Sequence, residues 1–138
     1  NSSSDALDAD FSNLFIKNIT IKNSKNDCLD FSFGSYKINN AMISNCGDKG
    51  ISFGEQSVGI VNKVEINNSP IGIASKDSSF VKIYKMIGEL SDFCITAYRK
   101  KQEFYGSIIL FNEMKCSAPI KIFAEPGSKI ENVSLNEL

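Results

Sequence analysis

Hydrophobic side chains recur along this chain with a period of 22 residues. The clearest series, in which each member follows the one before by 22 residues, is Leu7, Leu29, Ile51, Ile73 and Ile95. Two positions later in each copy stand Ala9, Phe31, Phe53, Ser75 and Ala97. A fixed period of this length is typical of solenoid proteins, in which every copy forms one turn and buries its apolar face against its neighbours.

The second half of each copy repeats as well. Matching segments, spaced by 22, 23 and 22 residues, begin at Ile16, Ile38, Val61 and Ile83. We expect the fifth copy to be longer, with Ile122 matching Ala97 at a distance of 25 residues. Within the copies apolar and polar residues alternate, as in Val64-Glu65-Ile66, and this alternation predicts short β-strands.

These patterns predict an all-β fold, a single-stranded right-handed parallel β-helix of about five to six coils of roughly 22 residues. Coils stacked about 4.8 Å apart would pair each strand with its equivalents and place like side chains in columns. Asn23, Asn45 and Asn68 share one turn position, where stacked amides can hydrogen-bond along a ladder. A β-sandwich gives no reason for the period, and a leucine-rich repeat would need a helical half.

Composition limits the classes of partner. The chain has 138 residues, of which 42% are hydrophobic and 22% charged, and its net charge is -1. This balance lacks the basic surface of a nucleic-acid-binding protein, and no apolar stretch approaches the ~20 residues of a membrane span. Because the sequence starts at Asn1 and not at Met, we expect residues 1–138 to be one domain of a longer protein, with neighbouring domains as partners.

Five segments carry a resemblance to a known family. They are SDALDADFSN from Ser4, NDCLDFSFGS from Asn26, GDKGISFGEQS from Gly47, GIASKDSS from Gly72 and AYRKKQEFYG from Ala97. With these segments the chain resembles the pectin-lyase-like right-handed parallel β-helix repeat proteins. More narrowly, it is similar to the β-helix modules attached to bacterial CotH-type surface proteins. The resemblance implies a bacterial extracellular or cell-surface module, and it implies no chemistry.

A weaker resemblance, to polygalacturonases, breaks down at the catalytic motifs. The N-T-D, D-D and G-H-G motifs of that family would fall at Asp5, at Asp27 and at Lys49-Gly50. The paired-acid motifs are incomplete, R-I-K is missing, and the chain has no histidine. Without histidine, Ser-His-Asp and Cys-His nucleophiles are excluded too.

An acidic group is the most suggestive chemical feature. Asp8 and Asp10 should point outward, and Asp8 should stack on Asp30 as Asp5 does on Asp27. Three interpretations stay open: carboxylates that cap their own backbone, which we favour, a Ca²⁺ site at Asp8 and Asp30, or an acid/base group. Candidate catalytic residues for the last are Asp5, Asp8, Asp27 and Asp30.

A basic and aromatic group follows further along the same flank. Its candidate binding residues are Lys76, Tyr98, Arg99 and Lys100. Cations beside aromatic rings suit a sugar or uronate chain, whereas the alternative is a solvated, salt-bridged face.

The four cysteines show no metal-binding spacing. Cys28 and Cys94 share a column but lie three coils apart, which is beyond disulfide reach. A Cys28–Cys46 bridge is conceivable, but we expect four free thiols.

The function expected from the sequence is therefore a non-enzymatic structural or binding module that contacts polysaccharide along one β-helix face. A polysaccharide lyase or hydrolase acting through the stacked aspartates is the alternative. We expect no cofactor, with Ca²⁺ as the one alternative, and self-association through the open ends of the solenoid.

Overall fold

The computed structural model of this protein describes residues 5–138. They form an all-β parallel solenoid of about six turns of about 22 residues, which confirms the predicted β-helix. In chain order the strands are β1 (Leu7–Asp10), β2 (Asn13–Ile16), β3 (Ile19–Ile21), β4 (Leu29–Ser32), β5 (Ser35–Ser44), β6 (Lys49–Phe53), β7 (Val58–Asn67), β8 (Ile71–Lys76), β9 (Phe80–Glu89), β10 (Phe93–Tyr98), β11 (Ile108–Ser117), β12 (Ile120–Ala124) and β13 (Lys129–Asn132). A 3₁₀ turn spans Leu135–Glu137.

Two parallel sheets run along the solenoid. Sheet A has the strand order β1-β4-β6-β8-β10-β12, and sheet B has the order β13-β11-β9-β7-β5-β2, with β3 also paired to β5. Each of the first five coils thus contributes one strand to sheet A and one long or divided strand to sheet B, and the sixth coil contributes the short strands β12 and β13. The first four residues of the predicted domain lie outside the described residues.

The predicted column of large aliphatic side chains is confirmed. Leu7, Leu29, Ile51, Ile73 and Ile95 are paired in succession across sheet A. The last four of them are fully buried. The prediction for the sixth coil was wrong, because Ile122 pairs with Ile95, 27 residues earlier, and Ala97 pairs with Ala124. A longer loop after β10 shifts the register, and spacing alone did not locate it.

Asparagine ladders mark two corners of the coil. At the predicted ladder the Asn45 amide donates to Asn23 Oδ1 at 3.4 Å, and the Asn68 amide donates to Asn45 Oδ1. Asn45 and Asn68 have φ values of 59° and 51°, a left-handed conformation that asparagine tolerates better than most residues. A second corner, which the sequence did not reveal, bends the long strands where Asn62 Nδ2 donates to Asn39 Oδ1 at 2.8 Å.

The expectation of four free thiols was wrong. Disulfides join Cys28 to Cys46 and Cys94 to Cys116, with Cα–Cα distances of 5.5 and 6.3 Å. Each bond joins the start of a coil in sheet A to the end of the same coil in sheet B, which brings the two cysteines together although 18 or 22 residues separate them. In the two coils between, the Cys28–Cys94 column holds Gly50 and Gly72.

The Gly72 position shows why cysteine cannot occupy that column throughout. A Cβ added there would lie 2.4 Å from the Cys94 carbonyl oxygen and 2.4 Å from Met86 Cε. Because the backbone of the next coil and a core side chain approach this position so closely, glycine is required in the middle coils. The column therefore has no cysteine there.

The final coil is only partly covered. β13 pairs with β11 and covers part of sheet B. In β12, by contrast, all five residues are exposed, among them Ile120, Ile122 and Phe123. Self-association through such an open end stays a prediction. The described part of the chain has no helix of the length and apolar character needed to cross a membrane.

Candidate functional site

The outer face of sheet A changes in character from one end to the other. Its middle column, fixed by the strand register, contains Asp8, Asp30, Ser52, Ala74, Thr96 and Phe123. These side chains alternate with the buried aliphatic column and therefore point away from the core. The first coils thus present carboxylates, the middle coils present small side chains, and the last coil presents an aromatic ring.

A groove of about 280 Å³ lies on the charged part of this face. Its lining is almost entirely ionisable: Asp8, Asp10, Asp30, Ser32, Glu55, Lys76, Asp77, Lys100 and Lys101. The groove thus joins the acidic group and part of the basic group that the sequence indicated. It brings carboxylates of the first two coils next to the lysine that ends β8 and the two lysines that follow β10.

One wall of the groove is the loop between β10 and β11. This loop has nine residues, 99–107, whereas the equivalent connection one coil earlier has three, 77–79. The buried Asp77 carboxylate fixes the start of the loop, because its Oδ1 accepts the backbone N–H groups of Lys100 at 2.7 Å and Lys101 at 2.9 Å. The Lys101 ammonium also pairs with Glu55, two coils back.

Aromatic contacts hold the far part of the same loop. The ring of Phe104 lies 6.1 Å from that of Phe33, which in turn stacks on Phe11 at 4.7 Å. The Tyr105 N–H donates to Ser78 Oγ at 2.8 Å. The loop therefore folds back over earlier coils and forms a fixed edge of the groove.

The predicted stacking of the aspartates is confirmed. Asp8 pairs with Asp30 in the register of β1 and β4, and one oxygen from each of Asp5, Asp8 and Asp30 lies within 4.8 Å of the others. Two of the aspartate carboxylates, those of Asp5 and Asp27, bind the backbone of the following coil. Asp5 Oδ1 accepts the Asp27 N–H at 3.0 Å, and Asp27 Oδ1 accepts the Lys49 N–H at 3.1 Å.

The four acidic candidates thus divide into two pairs. Asp5 and Asp27 connect successive coils, while Asp8 and Asp30 line the groove. Carboxylate oxygens are the ligands that Ca²⁺ prefers, and three clustered carboxylates can supply several of its six to eight oxygens. The residues present are therefore compatible with the predicted cation, which stays a prediction.

Burial and crowding shift the titration of the groove residues. Burial raises the pKa of the Asp30 carboxyl from 3.8 to about 7, and a hydrogen bond with Asp5 and the charges of Asp27 and Asp5 act in the same direction. Burial also raises the pKa of Asp27 in spite of the ammonium of Lys49, 3.7 Å away. The pKa of Lys76 is lowered by burial first, then by the nearby charges of Lys49 and Lys100.

Lys49 differs from Lys76 although both are buried. Its burial lowers the pKa, but the hydrogen bond with Asp48 and the charges of Tyr98 and Asp27 outweigh that effect and raise it. Lys49 is therefore a structural cation held by Asp48 and Asp27. Tyr98 extends across the face far enough for its hydroxyl to influence Lys49.

Replacing Asp30 with Asn is expected to flatten the pH dependence of stability between pH about 4 and about 7. Folded Asp30 keeps its proton up to a pH near its pKa of about 7, whereas the unfolded chain releases that proton near 3.8. Stability is therefore greatest below the unfolded pKa and falls as the pH rises through the folded one. Urea unfolding midpoints over this range measure the effect.

Ser32→Ala, on the same outer face, is the control for a general disturbance of the groove. A smaller slope should persist in Asp30→Asn, because the raised pKa of Asp27 acts with the same sign. If the wild-type and Asp30→Asn profiles superimposed, Asp30 would not titrate as described.

The structure assembles the basic group only in part. Lys76 and Lys100 line the groove, and Tyr98 lies on the same face, paired with Lys76 in the strand register. Arg99 is exposed and is not among the lining residues, and its backbone N–H donates to Glu125 Oε1 at 3.3 Å. Lys101 belongs to the same basic stretch of the sequence, and it also lines the groove, although it was not among the candidate binding residues.

Two hydroxyls of the middle column have no hydrogen-bond partner among the described residues, namely Ser52 Oγ and Thr96 Oγ1. Ser52 is fully buried and Thr96 is 2% exposed. Unpartnered buried hydroxyls cost free energy, and these two lie in the same column as the groove residues Asp8 and Asp30 without lining the groove themselves.

Comparison of the chain with protein-family models, with curated proteins and with solved structures gives no match. The class established for it is therefore that of its fold, the parallel β-solenoid.

Proposed function

We propose that this chain is a non-enzymatic polysaccharide-binding module of a bacterial extracellular or cell-surface protein. In this proposal the groove on the outer face of sheet A receives an acidic glycan. The five segments that resemble pectin-lyase-like repeats and the modules of CotH-type surface proteins support the same family placement. That placement is part of the proposal.

The observation that carries the proposal is the composition of the groove. A solenoid gains nothing in stability from placing Lys100 next to Lys76, since the charge of Lys100 lowers the pKa of Lys76. Two ammonium groups beside a groove can instead bind the carboxylates of an acidic sugar chain. A solenoid face also suits an extended partner, because its side chains repeat along the axis.

The acidic end of the groove requires a different contact. Asp8 and Asp30 would repel a uronate unless Asp30 is protonated or a cation lies between the carboxylates. We therefore expect Ca²⁺ to strengthen binding of an acidic glycan and to have little effect on a neutral one. The two disulfides are compatible with an extracellular location, where such bonds persist.

Removing one lysine charge is expected to weaken binding roughly tenfold and to reduce its dependence on salt. Isothermal titration of the protein with polygalacturonate and with alginate, with and without Ca²⁺, measures wild type against Lys76→Gln and Lys100→Gln. Lys63→Gln, an exposed lysine on sheet B, is the matched control. Equal affinity of all four proteins, or no binding of either polymer, would contradict the proposal.

A second function, polysaccharide lyase or hydrolase, is favoured by one observation. Asp30, with its pKa of about 7, can hold a proton at neutral pH, as a general acid must. Release of shorter products from the same polymers, abolished in Asp30→Asn and Asp27→Asn, would support this function over binding alone.

A further inference from the structure

The lysine end of the groove continues into an aromatic patch on the last two coils of sheet A. Phe93 is paired with Ile120, and Thr96 is paired with Phe123, on strands β10 and β12. The rings of Phe93 and Phe123 lie 5.8 Å apart with an interplanar angle of 44°. Ile120 and Phe123 are 49% and 43% exposed, so the patch is open to solvent on the outer face.

We propose that Phe93 and Phe123 form a ring-stacking subsite for the polysaccharide, next to the lysines that bind its acidic groups. This inference rests on the proposed function and adds a second, apolar contact to it. A pyranose ring has an apolar C–H face and polar hydroxyls at its edge, so it can cover an aromatic ring while its hydroxyls stay solvated.

The register of sheet A places this subsite beside the groove. Lys76 ends β8, Tyr98 follows it in the same column of β10, and Phe123 lies on the next strand, β12. Two strand spacings separate Lys76 from Phe123 along the axis, about 10 Å. A glycan longer than a monosaccharide can therefore contact both at once.

Between the rings and the groove lies the unpartnered Thr96 hydroxyl. Its neighbours Ile95 and Ala97 point into the core and are fully buried, so Thr96 points toward the outer face. Thr96 is 2% exposed, and its Oγ1 has no partner within residues 5–138. A sugar hydroxyl at the edge of the stacked ring would supply this missing hydrogen bond, which a purely apolar occupant would not.

The lysines next to the patch favour an acidic glycan over a second copy of the chain as its ligand. A second copy of the chain seated on the patch would cover the rings but would leave the charges of Lys76 and Lys100 without a partner, and unpaired charges next to an interface are costly. An acidic glycan satisfies the lysines and the rings together. We therefore infer that the ligand of this patch is an acidic polysaccharide.

Phe123→Ala is expected to weaken the binding of polygalacturonate and alginate roughly tenfold, because much of the apolar contact area is lost. Its salt dependence should equal that of wild type, because no charge is removed. The matched control is Phe15→Ala, which removes a ring that is 61% exposed on the outer face of sheet B. The control should bind as wild type does.

Three results would overturn the inference. Wild-type affinity in Phe123→Ala together with weakened affinity in Lys76→Gln would leave the proposed function standing without this subsite. Sedimentation showing a wild-type dimer that becomes monomeric in Phe123→Ala would assign the patch to self-association. If no variant and no wild-type protein bound either polymer, the proposed function would fail together with the subsite.

Discussion

Reduction of the two disulfides is expected to lower the free energy of unfolding by about 3 kcal/mol for each bond. Each bond closes a single coil, with its cysteines separated by 18 and 22 residues in sequence. Closing loops of this length removes conformations from the unfolded chain, and Cys28 and Cys94 are fully buried in the folded one. Urea unfolding with and without a reductant, followed by circular dichroism, measures the loss.

Replacing both cysteines of one disulfide at a time shows how much each bond contributes to stability. Cys28→Ala with Cys46→Ala should cost about as much as Cys94→Ala with Cys116→Ala, and reductant should have no further effect when both bonds are gone. Alkylation of the unfolded, unreduced protein should modify no cysteine, because all four are in disulfides. Four alkylated thiols, or unchanged stability after reduction, would show that the bonds do not form.

Ile51→Ala is expected to lower the free energy of unfolding by about 2–5 kcal/mol. Ile51 is fully buried between Leu29 and Ile73 in the aliphatic column, so its truncation leaves a cavity bounded by the coils above and below. Those coils cannot close over the gap without breaking the pairing of β6 with β4 and β8. Chemical denaturation of the variant against wild type gives the difference.

Ile120→Ala is the matched control, since it makes the same change at a residue that is 49% exposed at the last coil. A change of about 0.5 kcal/mol or less is expected there, as for most surface positions. Equal effects at Ile51 and Ile120 would mean that Ile51 is not enclosed between stacked coils.

The fold could be predicted because every coil buries the same kind of side chain at the same position. Leu7, Leu29 and Ile51 share one environment, and the 22-residue spacing shows that environment directly in the sequence. The sixth coil was not placed correctly, because the residues inserted after Tyr98 break the period that the inference depends on. The bend at Asn39 was missed because a corner inside a long strand changes no spacing.

The site was less predictable because it depends on contacts that no spacing records. Stacking of Asp8 on Asp30 follows from the period, whereas the pairing of Lys101 with Glu55 depends on how one long loop folds back. The Cys94–Cys116 bond was also missed, since Cys116 lies in the irregular fifth copy. Contacts between residues at equivalent positions of successive coils could be predicted from the sequence. Contacts that involve the inserted loop could not.

We propose that the outer face of sheet A binds an acidic polysaccharide. The most direct test follows backbone amide chemical shifts of the ¹⁵N-labelled protein while oligogalacturonate is added. We expect the largest changes at Lys76, Thr96, Lys100 and Phe123, with none at Phe15 or Ile60 on the outer face of sheet B. Changes centred on sheet B, or none anywhere at saturating oligosaccharide, would contradict it.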